Sequence, residues 1–321
     1  MNNIQINDLQ ESVRDHTAFT KLQDYYQITT SFLQFLQNTK PTRIVSPNPT
    51  VQNYIFFQYP EDISFRLTRP LNSHLFIETP ENFKQSFEQF LTFLGDIKQQ
   101  KNGIVSDAAY QQFITENKIS KVVYTIQQSI GCIGDAFENA NQSRKRIGQL
   151  FEGLIKLIIK AVGLECEPRR VLLPIAGFEG YTMSYELDLV FSQDKAILTS
   201  ETVHIHPHEI VGSVKTTSKD RIDKIFLDKY LLSKLLGRDI KVIAVFLHDV
   251  QRAKFGTSIF GINSTFKSNH FLGYTVALNK LNGVYYVDPR PEMFSNQKLR
   301  EQIHNFQEFL LSDIWELIKV S

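Results

Sequence analysis

Only two of the 321 residues are cysteine. Cys132 and Cys166 stand far apart, with neither the spacing of a zinc site nor the density of a disulfide scaffold, and they fit a reducing cytosol best. No apolar run approaches the roughly 20 residues that span a bilayer, so no membrane is expected as a partner. The first residues, MNNIQINDLQESVRD, lack a basic start followed by an apolar core, so no signal peptide is read and a cytoplasmic location is expected. Internal repeats and low-complexity tracts are also missing. The chain has almost no net charge, +1, which excludes a globally basic polymer binder. Any nucleic-acid surface is therefore a local patch.

One such patch is present. Residues 215–254 hold ten Lys or Arg against five Asp, whereas residues 1–80 hold six basic and seven acidic residues. Hydrophobic residues make up 42%, ordinary for a globular chain, and 25 Phe and 12 Tyr supply an aromatic-rich core or binding surface. The length suits one large domain or two modest ones.

The first 140 residues read as mostly helical. Apolar spacing predicts a helix over 7–38, a second over 81–100, a third starting near Ser106 or Asp107 and a fourth over 119–138. Short runs at 54–57, 63–67 and 74–78 read as strands. No catalytic constellation stands out there. The region is either a helical shell or an arm for gripping DNA and dimerising, with a boundary expected near residue 140.

Residues 141–321 carry the chemistry. Ser143 is read as the cap of a helix that Gly163 closes, with Ile147, Leu150, Phe151, Leu154, Ile155, Ile158 and Val162 on one buried face. Arg144, Lys145 and Arg146 fall in its expected first turn, where cations oppose the helix dipole, so phosphate contact is a candidate role. Glu152 flanks the apolar stripe. Residues 171–174, 185–191 and 209–215 read as strands. A period of two puts Glu186 and Asp188 on one face of the second, and Ser213 and Lys215 on one face of the third. Asp188 lies in an apolar strand, where a carboxylate is costly without a partner or a metal. His204, His206 and His208 alternate without a suitable cysteine or carboxylate, and read as loop residues near the site rather than zinc ligands. A helix is expected over 218–236, with Lys229 inside its apolar stripe, either reaching toward the site or snorkelling to solvent. Residues 241–247 read as a buried parallel strand, 273–278 and 283–287 as a hairpin, and 296–318 as a last helix. Lys219, Arg221, Arg252, Lys254 and Lys267 are candidates for DNA contact.

If the second and third strands are neighbours, Asp188 and Lys215 converge at one end of a sheet. That pattern, with Ser213-Val214-Lys215 followed by Thr-Thr-Ser-Lys-Asp-Arg at a helix start, resembles the PD-(D/E)XK nuclease superfamily and its type II restriction endonucleases. The resemblance covers about residues 143–250. Leu187 stands where proline is usual, and Ser213 where the second carboxylate is usual.

The resemblance implies an α/β fold with a restriction-endonuclease-like core: a mixed central sheet flanked by helices, after a mostly helical N-terminal region. It implies Mg²⁺ held by Asp188 and the Val214 carbonyl, with Lys215 serving the attacking water. It implies double-stranded DNA as substrate, a homodimer, and a cognate DNA methyltransferase as genetic partner. Glu152, Glu186 and Asp228 are the candidates for the missing acid, in that helix, that strand and the helix after Lys215; Glu152 has the placement the family uses most. Two rival functions share these residues: a repair or junction-resolving nuclease, and a DNA-binding module that has lost catalysis.

Overall fold

The computed structural model describes residues 4–47, 53–60, 69–194, 204–219 and 221–319. The elements, in order, begin with α1 (Ile6–Arg14), α2 (Leu22–Thr39), β1 (Thr42–Val45), β2 (Tyr54–Gln58), β3 (Leu71–Asn72), α3 (Pro80–Gln100), α4 (Ala108–Thr115), α5 (Lys118–Asp135) and α6 (Ala140–Ala161). The second half holds β4 (Glu165–Pro174), β5 (Thr182–Ser192), β6 (Ile210–Thr217), α7 (Ile222–Leu236), β7 (Lys241–His248), β8 (Val250–Phe255), β9 (Ser258–Ser264), α8 (Ser268–Ala277), β10 (Gly283–Tyr286) and β11 (Ile303–Asn305), with short helical turns after β10 and β11. Among the described residues no helix is long and apolar enough to cross a membrane.

The chain forms two compact units, each discontinuous in sequence. One gathers residues 1–93, 112–154 and 249–265; the other gathers 94–111, 155–248 and 266–321.

In the first unit β1, β2 and β3 form an antiparallel sheet, and β8 and β9 form a two-stranded ribbon. Phe56 packs edge-on against Phe260, joining the two in one small core. The helix expected over 7–38 is two helices. Asp15 accepts from the Thr17 amide and hydroxyl at 2.8 and 2.7 Å, a turn that competes with the helix. Asp24 accepts from the Thr20 and Lys21 amides and restarts it. Residues 74–78 are not a strand, because the Leu75 and Phe76 amides both turn back to the Asn72 carbonyl. The strand expected over 63–67 lies outside the described residues. Ser143 does not cap α6. Asn139 does, accepting from the Asn141 and Gln142 amides, while the Ser143 hydroxyl donates to the Gly134 carbonyl.

The second unit is built on a six-stranded sheet of order β11-β10-β7-β6-β5-β4. β6, β7, β10 and β11 run parallel, while β5 and β4 run antiparallel to their neighbours. This is the mixed sheet flanked by helices that the sequence implied. β7 is buried from Val242 to His248, as a central strand covered on both faces should be. On one face Ile225, Phe226 and Leu232 of α7 and Phe271 of α8 pack on Val211, Val242, Ala244 and Phe246. On the other, Phe309 packs against Phe191 and Tyr285. α7 ends where Gly237 adopts φ +67°, a conformation an L side chain resists.

Three expectations fail in this half. Residues 273–277 are helical, part of α8, because Phe271 seats against Phe226 and Phe266 and fixes the helical face. The hairpin is instead β8–β9, turned by Gly256 at φ +56°. The helix expected over 296–318 is broken, since Ile303–Asn305 adds to the sheet edge beside β10 as β11. The snorkelling alternative fails for Lys229, which is among the residues lining the cavity described below. Its ammonium is buried and donates to the Lys280 carbonyl and Asn282 Oδ1 at 2.5 and 2.8 Å. Burial pushes that ammonium below the usual lysine range.

One ion pair ties the edge of the sheet to the start of β6. Arg169 on β4 grips both oxygens of Glu209 at 2.7 Å, and the His206 amide donates to the same carboxylate. The side chains are 7% and 0% exposed. Breaking a buried pair leaves an uncompensated charge, at a cost of about 3–5 kcal/mol. Arg169→Ala should therefore lower Tm by many degrees, whereas Arg169→Met combined with Glu209→Leu should recover most of the loss. Thermal melts of the three proteins measure both effects.

Candidate active site

Asp188, Ser213, Val214 and Lys215 all belong to the second unit, and a break in the sheet brings them together. β4 and β5 pair from Glu165↔Ser192 to Pro174↔Thr182, but the register shifts between Glu167 and Arg169, which face Val190 and Leu187. Two residues of β5, Asp188 and Leu189, thus oppose the single residue Pro168, whose imide offers no N–H to the ladder. Tyr185, Leu187 and Val190 consequently lie in the same core, so the alternation of faces is interrupted between Leu187 and Val190. Glu186 and Asp188, which the period of two placed together, still line one cavity.

The β5–β6 ladder is also short. It holds three pairs, from Phe191↔Ile210 to Leu189↔Gly212, and stops there. Just past its end the Val214 amide donates to Asp188 Oδ2 at 2.9 Å instead of to a strand partner. The Ser213 hydroxyl donates to the same oxygen at 3.2 Å, and the Lys215 ammonium donates to it as well. Asp188 Oδ1 accepts no hydrogen bond from any described residue. In a strand the N–H and C=O of one residue point to the same side. The Val214 carbonyl therefore opens on the edge that Asp188 occupies. The Asp188 and Lys215 side chains are 17% and 30% exposed, sheltered yet open to a ligand.

These residues line a cavity of about 710 Å³ with Glu186, Arg221, Lys224 and Asp228 on its polar side, and Met183, Leu227 and Leu231 on its apolar side. Asp228 projects from α7 and is bridged by Lys224 one turn away at 2.6 Å. Burial pushes the Tyr185 phenol up, and the nearby Asp228 carboxylate adds to that shift. Arg221 is exposed at the cavity wall.

The other sequence-predicted residues are placed as follows. Glu186 and Asp228 share the cavity with Asp188. Glu152 is half-buried in the segment assigned to the first unit. Arg144, Lys145 and Arg146 sit one turn further into α6 than expected, because the helix begins at Ala140. Arg144 and Lys145 are exposed, but Arg146 is buried and donates to the Val13 and Asp15 carbonyls at 2.6 Å, so its guanidinium serves the fold of the first unit. Lys219 and Lys267 are exposed in the second unit, and Arg252 and Lys254 are exposed on the β8–β9 ribbon of the first. His204 and His206 brace the Arg169–Glu209 pair through their backbones, and the His208 amide donates to His206 Nδ1. That is a structural loop, with His206 Nδ1 already engaged.

Among the described residues no three His, Cys, Asp or Glu side chains are gathered to hold a metal ion. The donor set still fits a small hard cation. Mg²⁺ is held through one or two carboxylates and otherwise keeps its waters, and here an open carboxylate oxygen and a second aspartate line one cavity, with the Val214 backbone beside that carboxylate.

The chain has the fold of the type II restriction endonucleases. It is similar in structure to the Type IIP restriction endonuclease Kpn2I, with a TM-score of 0.65 and 16% sequence identity over 98% of this chain and 97% of that one. A weaker likeness is to the restriction endonuclease PspGI in a substrate DNA complex, with a TM-score of 0.43 and 15% identity over 74% of this chain and 92% of that one. No family model matches the sequence, and no curated relative does.

Proposed function

We propose that this protein is a Mg²⁺-dependent type II restriction endonuclease that hydrolyses double-stranded DNA at a specific sequence. The observation that carries the reading is the convergence of Asp188, Ser213, Val214 and Lys215 where β5 leaves β6, within a fold that matches a Type IIP restriction endonuclease along nearly its whole length. Asp188 Oδ1 and the Val214 carbonyl are the groups that would hold the cation. Asp228 joins them as the second acid, because it lines the same cavity and stands thirteen residues after Lys215, where the resemblance allows the acid to move when serine occupies position 213. Bound Mg²⁺ would supply Lewis-acid neutralisation of the scissile phosphate.

The chain's own residues do the rest. The Lys215 ammonium orients the attacking water and stabilises negative charge developing on the phosphorus oxygens. Arg221 at the cavity wall, with Lys219 and Lys267, meets phosphates of the duplex. The Lys224 ammonium balances Asp228 until the substrate arrives. A palindromic site would call for a two-fold homodimer, and a sequence-specific nuclease for a methyltransferase that protects the host DNA.

Incubation of the purified protein with phage DNA and Mg²⁺ tests the reading directly. Discrete fragments are expected. Cleavage confined to branched DNA would mark a junction resolvase, and binding without cleavage an inactive module.

Two further outcomes follow from the site. Asp188→Ala and Lys215→Ala should each reduce cleavage by at least a thousandfold while binding in a gel-shift assay stays within a few fold, because base contacts lie elsewhere; near-normal cutting by either variant removes this site. Of the three acids, Asp228→Asn should lower the Mg²⁺-dependent rate by orders of magnitude, and Glu186→Gln and Glu152→Gln by much less. Rates measured against Mg²⁺ concentration decide the ranking, and an inactive Glu152→Gln beside an active Asp228→Asn would reverse it.

Binding itself should weaken steeply with salt, because each neutralised phosphate releases a counterion. Titrations between low and physiological salt would show it, and a flat response would argue against a DNA substrate.

A further inference from the structure

We infer that Ser213 is a positioning residue whose hydroxyl, together with the Val214 amide, holds one oxygen of Asp188 so that the other stays presented to the cation. The inference rests on the metal-dependent nuclease reading of this site.

Among the described residues, every donor that reaches the Asp188 carboxylate ends on Oδ2: Ser213 Oγ at 3.2 Å, Val214 N at 2.9 Å, and the Lys215 ammonium. None ends on Oδ1. The three donors differ in what they can do. The Val214 amide is fixed in the backbone of β6. Ser213 reaches out on one short rotor from the same strand. Lys215 is a charge on a long flexible stem, with 30% of its side chain exposed. When that ammonium turns to the water and the phosphate, a carboxylate held by it alone would be free to rotate. The serine and the amide remain, and they are neutral, so they hold the carboxylate without competing for the cation.

An acid at position 213 could not take this part. A carboxylate only accepts hydrogen bonds. It would set a second negative charge against Oδ2, an arrangement that a bound cation must then offset. With serine the holding contacts are complete before any metal arrives. Ser213 is thus a donor in its own right, and the position has changed its role rather than lost it.

The test compares the full-length protein with Ser213→Ala and Ser213→Thr. Mn²⁺ binding is followed by the electron paramagnetic resonance signal of the free ion, and cleavage is measured in parallel. A hydrogen bond to a charged group typically corresponds to about tenfold or more in affinity. Ser213→Ala should therefore weaken Mn²⁺ binding about tenfold and raise the metal concentration for half-maximal cleavage in step, with kcat at saturating metal changing less. Ser213→Thr, which keeps the hydroxyl, should behave like the parent. Thermal melting checks each variant's fold; should the alanine variant melt below the assay temperature, Ser213→Cys, a much weaker donor, replaces it. If the alanine variant binds Mn²⁺ within twofold of a parent that binds and cuts, the inference fails and the nuclease reading stands. A parent that neither binds Mn²⁺ nor cuts DNA removes the nuclease reading and this inference with it.

Discussion

The arrangement around Asp188 depends on a ladder that stops early. β5 and β6 share only three pairs, so beyond Leu189↔Gly212 the backbone of β6 has polar groups with no strand to bond. Unpaired backbone groups in a sheltered place must find a partner. Here the partner of the Val214 amide is the Asp188 side chain. The same opening leaves room for a cavity that a continued ladder would close. A sheet that paired fully would be more regular, and it would have no place for a carboxylate next to a lysine.

Keeping that opening from collapsing falls to the elements around it. Pro168 cannot donate to the ladder, and it sits where two residues of β5 face one of β4. The Arg169–Glu209 pair then fixes β4 to the approach of β6 across the back of β5. α7 closes the side of the cavity with Ile225 and Leu232, and the same helix presents Asp228 and Lys224. Each of these contacts is local to the second unit, and together they hold the strands apart at one end while packing holds them together at the other.

Much of this was legible in the sequence, and the limits have physical causes. β5, β6, α7 and β7 announce themselves by period, propensity and caps, and the D…SVK pattern pointed to the right sheet end because those strands are neighbours. Short apolar runs were less informative. GYTVAL at 273–278 carries β-formers, yet Phe271 anchors 273–277 as helix, an outcome of packing that spacing does not encode. Ile303–Asn305 joins the sheet edge from within a stretch whose composition suits helix, because β10 offers it a row of free backbone groups. Arg146 looked like a phosphate contact by its place in a basic run. Its use as a clamp on the Val13 and Asp15 carbonyls depends on a chain reversal more than a hundred residues away.

The alternation along β5 was the instructive limit. A strict two-residue period pairs Asp188 with Glu186, and the two line one cavity, but the alternation breaks between Leu187 and Val190, beside that carboxylate. Regular alternation follows from a regular ladder, so a site that needs a carboxylate turned toward a neighbouring strand's lysine has to interrupt the ladder there. The interruption and the site share one cause. The proline at 168 was visible in the sequence as a strand residue that could not donate, and read together with an aspartate in an apolar strand it marks where the sheet gives up regularity for function. What the sequence cannot supply is the pairing partner, since only the register shows that Pro168 lies opposite Asp188 and Leu189.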